Sequence, residues 1–127
     1  MKVRDLPPGQ LLSVDPETSV AEVARRMRMD DLDSVAVMSG GRLAGIITER
    51  DLVRAIADGL DPHQARADLV MTADPATVDV DEDVGMVAVK MMRLGVRHLP
   101  VVNKSGKAIG LVSAHNLVAV LEQGSDG

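Results

Sequence analysis

Four consecutive residues in the first half of the chain carry the side-chain types that a charged small-molecule ligand needs. The stretch Gly45–Val53 reads GIITERDLV, so an apolar run ends in Thr48, Glu49, Arg50 and Asp51. An ionised aspartate accepts hydrogen bonds from the hydroxyls of a ribose, and an arginine presents the forked donors that suit a phosphate. Thr48 is also a good helix N-cap, and acidic residues favour the first turn of a helix. The stretch therefore predicts either a ligand cradle or an ordinary helix start.

The composition of the 127 residues limits the classes of function. The chain has no Phe, Tyr or Trp, which excludes aromatic stacking on single-stranded nucleic acid, and its net charge of −5 gives no basic footprint for a duplex. It has no Cys, and therefore neither disulfides nor thiolate chemistry. No apolar stretch reaches the roughly 18 residues of a membrane span. We expect a soluble, cytoplasmic protein that binds neither nucleic acid nor membrane.

The opening stretch recurs near the end of the chain, which indicates a tandem duplication. Gly110–Val118 reads GLVSAHNLV and lies 65 positions after Gly45–Val53. Further upstream, a series of apolar positions repeats at an offset of 64. A shorter match aligns Val3–Leu6 with Arg66–Leu69. The offset changes from 64 to 65 at a predicted turn, which can accommodate one extra residue.

Each repeat has the predicted element order β-α-β-β-α. Apolar periodicity predicts strands at residues 11–14, 35–38, 43–47, 77–80, 98–102 and 108–112, and helices around residues 20–27, 49–57, 84–91 and 114–121. Gly59 and the pair Asp61-Pro62 break the chain between the repeats. We predict a first motif over residues 1–60, a linker over 61–65, a second motif over 66–123 and a flexible tail over 124–127.

The two repeats closely resemble tandem cystathionine-β-synthase (CBS) motifs over almost the whole chain. The resemblance is carried by the run VRHLPVV at residues 96–102 and by the Gly-apolar-apolar-Thr/Ser-x-x-Asp/Asn ending of both repeats. It implies an α+β fold in which two motifs pack through their sheets as a pseudo-two-fold pair. It also implies two clefts between the motifs, which in many family members bind adenosine nucleotides or related adenosyl ligands, and the pairing of two modules into a homodimer.

The resemblance implies a first cleft that is served by Asp51 and completed by the second motif. There, Val96 and Ala76 are expected to enclose an adenine ring, while Arg97 and His98 place charge near the phosphates. The predicted nucleotide-binding residues are Thr48, Arg50, Asp51, Thr72, Ala76, Val96, Arg97, His98 and Pro100. From the residues alone, helix capping for the first three and an edge-strand or strand-start position for the proline remain open alternatives.

The second cleft departs from the family pattern. It has Ser113, His115 and Asn116 where the first cleft has a hydroxyl, a base and an acid. A neutral asparagine binds a ribose more weakly than a carboxylate does. Asp33 stands at the position that Arg97 takes in the other half, and it would repel a phosphate. We expect this weaker cleft to stay empty or to take an uncharged adenosyl group.

The predicted function is a stand-alone regulatory module without catalysis of its own. It binds AMP, ADP, ATP or S-adenosylmethionine in one cleft, requires no cofactor, and transmits binding through dimer geometry to an unidentified regulated protein. The alternative is a structural or interaction module that acts through its dimer surface and binds no nucleotide. No metal site is expected, because His98 and His115 have no further ligand at suitable spacing. Core or dimer packing is predicted for Met27, Met29, Met86, Met91 and Met92.

Overall fold

The computed structural model describes residues 1–6 and 11–117, and it adds three short elements to the predicted order, at residues 3–5, 67–70 and 72–73. The elements are a 3₁₀ turn (Val3–Asp5), β1 (Ser13–Val14), α1 (Val20–Asp30), β2 (Ser34–Ser39), β3 (Arg42–Thr48), α2 (Glu49–Ala57), α3 (Ala67–Val70), β4 (Thr72–Ala73), α4 (Val84–Leu94), β5 (His98–Val102) and β6 (Ala108–Ser113). Residues 114–117 are helical. The rest of the helix predicted to residue 121, and the tail predicted at 124–127, lie outside the described residues.

Side-chain caps determine where the two long helices begin. Ser19 accepts a hydrogen bond from the Glu22 amide (3.1 Å) at the start of α1. Asp83 does the same for the Met86 amide (3.2 Å) at the start of α4. The two caps lie 64 positions apart, so they are equivalent in the two repeats. α4 ends at Gly95, whose φ of 66° reverses the chain toward β5.

Two sheets form, one on each repeat. The first has the strand order β1-β2-β3-β4, and the second contains the antiparallel pair β5-β6. Although β4 belongs to the second repeat by sequence, it pairs with β3 and places Thr72 opposite Ile46. In the second sheet a single parallel bridge joins Val78 to Val101 in the place that β1 takes in the first. The cross-repeat pairing of β4 brings part of the second repeat to the end of β3.

The strand predicted over residues 77–80 is wrong in extent, since it is reduced to the one bridge at Val78. The side chains that follow explain why the strand stops there. The Asp79 amide donates to a carboxylate oxygen of Glu82 (2.8 Å), and Asp79 itself accepts from the Asp81 amide (2.7 Å). These local bonds turn the chain immediately after Val78 and leave no room for further strand pairing.

The opening segment of each repeat packs against the other repeat. The Val3 amide donates to the Glu82 carbonyl (2.9 Å), and the Ala67 amide donates to the Thr18 carbonyl (2.7 Å). The two donors are 64 positions apart in the sequence, and so are the two acceptors, as a pseudo-two-fold axis requires. The short match that aligned Val3 with Arg66 is therefore wrong by one residue, because the spatial equivalent of Val3 is Ala67.

This exchange also contributes to the two hydrophobic cores. The core of the first repeat contains Leu12, Val14, Val23, Met27, Val35, Val37, Ile47 and the exchanged Ala67. The core of the second contains Val78, Val84, Val87, Met91, Leu99, Val101, Val112, Leu117 and the exchanged Val3. Each repeat thus buries a residue that the other supplies, and this fixes the position of one repeat relative to the other.

The five methionines that were predicted to pack in the core or a dimer divide into two groups. Met27 and Met91, at equivalent positions of α1 and α4, are each only 4% exposed and belong to the cores. Met29, Met86 and Met92 are 68%, 60% and 82% exposed, so they are not core residues.

Within the described ranges, no helix is long and apolar enough to cross a bilayer.

Candidate functional site: a cleft between the repeats

A cleft of about 400 Å³ opens between the repeats where β3 ends and α2 begins. Its walls are formed by Asp33, Ile46, Thr48, Glu49, Arg50, Asp51, Arg54, Thr72, Pro75, Ala76, Gly95, Val96, Arg97, His98 and Leu99. Eight of the nine residues predicted for the nucleotide site line this one cleft. The structure therefore brings together, from both repeats, eight side chains that the family resemblance assigned to one site.

The hydroxyl and the carboxylate of the opening motif form a capping box at the start of α2. Asp51 Oδ2 accepts from the Thr48 amide (2.9 Å) and from its hydroxyl (3.2 Å), while the Asp51 amide donates to Thr48 Oγ1 (3.4 Å). Helix capping is thus a real role of these residues. It does not exhaust the carboxylate, because Oδ1 accepts no hydrogen bond from the described part of the chain and an ionised carboxylate has about four acceptor sites.

The second repeat supplies its part of the cleft through two backbone features. The pairing of β4 with β3 positions Thr72, and the left-handed turn at Gly95 places Val96 and Arg97 between α4 and β5. The Val96 amide donates to the carbonyl of Met91 (3.1 Å), which fixes this turn on the last residues of α4. The residues predicted at this edge therefore lie on a short, hydrogen-bonded connection.

Charges of both signs line the cleft. Arg50, Arg54 and Arg97 are the cations with fixed charge, and Asp33, Glu49 and Asp51 are the acids. The side chain of His98 is 12% exposed, and its Nε2 lies 3.0 Å from Asp33 Oδ1 across the two repeats. The amides of the first turn of α2 add the partial positive charge of a helix N-terminus. The cleft can therefore hold a ligand that combines hydroxyls with a limited negative charge.

The apolar part of the wall consists of aliphatic groups. Ile46 is 6% exposed, and Val96 is 39% exposed. Together with Pro75, Ala76 and Leu99 they line the cleft without any aromatic ring. A planar heterocycle can pack between such groups by dispersion and apolar burial alone.

Pro100 lies apart from the other predicted residues. It is fully buried within β5, opposite Leu111, and its carbonyl accepts from the Val78 amide (2.9 Å). It is not part of the cleft wall. As the third residue of β5 it is a strand residue, but it does not lie at the strand start. Pro100 supports the segment that carries Arg97 and His98.

Seven wall residues were missing from the predicted site: Asp33, Ile46, Glu49, Arg54, Pro75, Gly95 and Leu99. Arg54 had a detectable signal, because it follows Arg50 by four positions and hence lies on the same face of α2. Asp33 was assigned to the second cleft by the repeat alignment. In the structure Asp33 lines the first cleft, where it contacts His98.

Ser113 of the second cleft occupies the same structural place as Thr48. Its hydroxyl accepts from the Asn116 amide (3.1 Å), and both Asn116 and His115 are exposed. On its other side Ser113 pairs with His98 in the β5-β6 ladder. Residues 7–10, at positions equivalent to the Thr72 segment of the first cleft, lie outside the described residues. The weaker binding predicted for this cleft stays a prediction.

In the described ranges no three acidic or histidine side chains group in a way that could hold a metal ion.

A family model for the CBS domain matches the chain twice, over residues 3–58 and 66–123. The chain belongs to the CBS domain family. The two matches cover most of its length, and they correspond to the two repeats that the structure contains. The predicted resemblance to a tandem CBS pair is confirmed.

Related proteins differ in how much of their length corresponds to this chain. An uncharacterized 17.7 kDa protein of Acidianus ambivalens is 34% identical over 121 residues, which cover 94% of this chain and 73% of that protein. An uncharacterized protein of Methanopyrus kandleri is 32% identical over 87% of this chain, which spans 57% of its length. An inosine-5'-monophosphate dehydrogenase of Korarchaeum cryptofilum is 36% identical over 84% of this chain, which spans only 21% of the enzyme.

Solved structures confirm the CBS-pair fold. A CBS domain protein from Pyrobaculum aerophilum, complexed with AMP, superposes with a TM-score of 0.87 at 26% identity, with 100% of both chains covered. A CBS domain pair complexed with 5'-methylthioadenosine and S-adenosyl-L-methionine has a TM-score of 0.88 at 23% identity, with 97% of both chains covered. The predicted class, α+β with two paired CBS repeats, agrees with both.

Proposed function

We propose that the CBS pair is a regulatory module that binds an adenosine nucleotide or another adenosyl ligand in the cleft between its repeats. The observation that carries this proposal is the convergence of Thr48, Arg50 and Asp51 with Arg97 and His98 around one cavity. Its volume of about 400 Å³ suits a nucleotide-sized ligand, since small-molecule sites span roughly 300–1,000 Å³. The AMP complex of the Pyrobaculum aerophilum protein supports the same ligand class.

Each part of the cleft has a role in this proposal. Asp51 accepts from the ribose hydroxyls through the oxygen that the capping box leaves unused. Arg50 and Arg97 donate to phosphate oxygens, and the amides at the start of α2 add to the field that favours an anion. Val96 and Ala76 enclose the adenine ring. No wall residue is required as a nucleophile or a general base, so the proposed role is binding without turnover.

A ligand in this cleft contacts both repeats at once, and the proposed regulatory effect follows from that. Binding favours the relative position of the repeats in which Asp51 and Arg97 both reach the ligand. A ligand shifts a conformational equilibrium only by its difference in affinity for the two states. We propose that this shift is passed to the dimer contact and from there to a regulated protein.

Thermal unfolding tests the binding proposal. A ligand that binds only the native state adds about 2.7 kcal/mol of stability when its concentration is a hundredfold above Kd. The melting temperature is expected to rise by several degrees with saturating AMP, because each kcal/mol shifts small to mid-sized domains by roughly 2–8 °C. Guanosine monophosphate is the matched control, since it keeps the ribose and phosphate but changes the base. An equal absence of response to AMP, adenosine and S-adenosylmethionine would support the alternative, a module that acts only through protein contacts.

We also propose that the module is a homodimer, and exposed apolar side chains on α2 and α4 support this. Val53 and Ile56 on α2 are 67% and 58% exposed, and Met86 and Met92 on α4 are 60% and 82% exposed. Helix faces of this kind are commonly covered in symmetric dimers. Sedimentation equilibrium at tens of micromolar protein is expected to give twice the mass of one chain. A monomer mass that does not change with concentration would contradict the dimer.

A further inference from the structure

Asp33 and Arg97 occupy equivalent positions in the two repeats but carry opposite charges. The Asp33 carbonyl accepts from the Glu49 amide (3.1 Å), and the Arg97 carbonyl accepts from the Ala114 amide (2.8 Å). Both contacts join the residue before β2 or β5 to the first residue of the helix that closes the same repeat. The pseudo-two-fold axis therefore places an acid where the other repeat has a base.

Both of these side chains line the same cleft. Asp33 Oδ1 lies 3.0 Å from His98 Nε2, and the Asp33 side chain is 60% exposed to solvent. While this contact is made, the Nε2 atom of His98 is not free to donate to a ligand oxygen. A phosphate placed near His98 must also approach the negative charge of Asp33. The carboxylate of Asp33 thus repels negatively charged groups of a ligand at this end of the cleft.

The formal charges of the wall residues determine how the repulsion by Asp33 affects which ligand binds. Three arginines face three carboxylates, so apart from His98 the wall has no net formal charge. One phosphate can be matched by Arg50 or Arg97, but every further phosphate adds charge that the wall does not balance. We propose that Asp33 is a specificity-determining residue that favours adenosyl ligands with little negative charge, such as AMP, over ATP. This inference rests on the proposed function of the cleft.

The test is the ratio of the Kd for ATP to the Kd for AMP, measured by calorimetry in buffer without divalent cations. Asp33→Asn removes the charge and keeps an oxygen that can accept from His98. It is expected to lower the ratio about fivefold to tenfold, the size expected for one partly solvated charge contact. The Kd for uncharged adenosine is expected to stay within about twofold. Asp33→Ala, which also frees His98, is expected to lower the ratio at least as much.

Asp31→Asn is the matched control for net charge. Asp31 is two residues away and ends α1 in the left-handed conformation (φ 55°), which asparagine adopts readily. It lies outside the cleft wall, so this variant is expected to keep the wild-type ratio. An Asp33→Asn ratio equal to that of wild type, with AMP still bound, would overturn the role of Asp33 alone. Failure of the wild-type protein to bind AMP, ATP and adenosine would instead overturn the proposed function.

Discussion

Asp51→Ala is expected to weaken the binding of every adenosyl ligand by more than a hundredfold, and so to remove the rise in melting temperature that AMP produces. A hydrogen bond to a charged group contributes about 1.5–3 kcal/mol, and a ribose can make two of them to this carboxylate. The loss of both corresponds to at least about 3 kcal/mol, or more than two powers of ten in Kd. The measurement is the Kd for AMP and for adenosine, which should rise together because the ribose is common to both.

The capping box makes a control for stability necessary. Asp51 also accepts from the Thr48 amide and hydroxyl, so alanine at this position is expected to destabilise the free protein by about 0.5–2 kcal/mol. Ser19→Ala removes the N-cap bond at the start of α1, which is the counterpart of the Thr48 half of the capping box and lies outside the cleft wall. That variant should lose similar stability and keep the full AMP response. If Asp51→Ala binds AMP as tightly as Ser19→Ala does, the ribose role is wrong and Asp51 is a capping residue only.

Gly45→Ala is expected to destabilise the fold by about 1–3 kcal/mol or more, because a Cβ atom has no space there. It would lie 2.5 Å from Met71 Sδ and 2.8 Å from the Thr72 carbonyl oxygen. The side chain can move, but the carbonyl belongs to the backbone that pairs β4 with β3. We expect the pairing to be displaced and Thr72 to shift in the cleft, so that the Kd for AMP rises as well. Urea unfolding and calorimetry measure the two effects.

Gly110 provides a close internal control for this substitution. It is the counterpart of Gly45 in the second repeat, and among residues 1–6 and 11–117 an added Cβ would meet only Val101 Cβ, at 4.0 Å. Gly110→Ala should therefore change stability by less than about 1 kcal/mol. If the two variants have equal urea midpoints, the close approach of β4 does not prevent a larger side chain at position 45.

The repeat itself was predictable from sequence because its apolar positions recur at an offset of 64 residues that changes to 65 only once. The bounds predicted for α2 (Glu49–Ala57) and β5 (His98–Val102) are the bounds that the structure has. Both elements have strong local signals: a Thr N-cap ahead of an acidic first turn for α2, and a short, mainly apolar run for β5. The convergence of Asp51 with Arg97 was also predictable, but only through the family resemblance, since no local pattern relates the two.

The exchange of opening segments could not be derived from periodicity. Val3 and Ala67 are single buried residues in short turns, where neither a helical nor a strand period can develop. Their partners lie in the other repeat, so the contacts depend on packing rather than on local preference. The same limit applies to Asp33, whose contact with His98 spans 65 positions of sequence.

Isothermal titration of AMP into the purified wild-type protein is the most direct test of nucleotide binding in the cleft. We expect saturable binding with one AMP per chain, in the cleft that Asp51 and Arg97 share. We also expect competition with adenosine, because both ligands would use the same ribose and adenine contacts. An absence of saturable heat for AMP, adenosine and S-adenosylmethionine at millimolar concentrations would show that the cleft is not an adenosyl site.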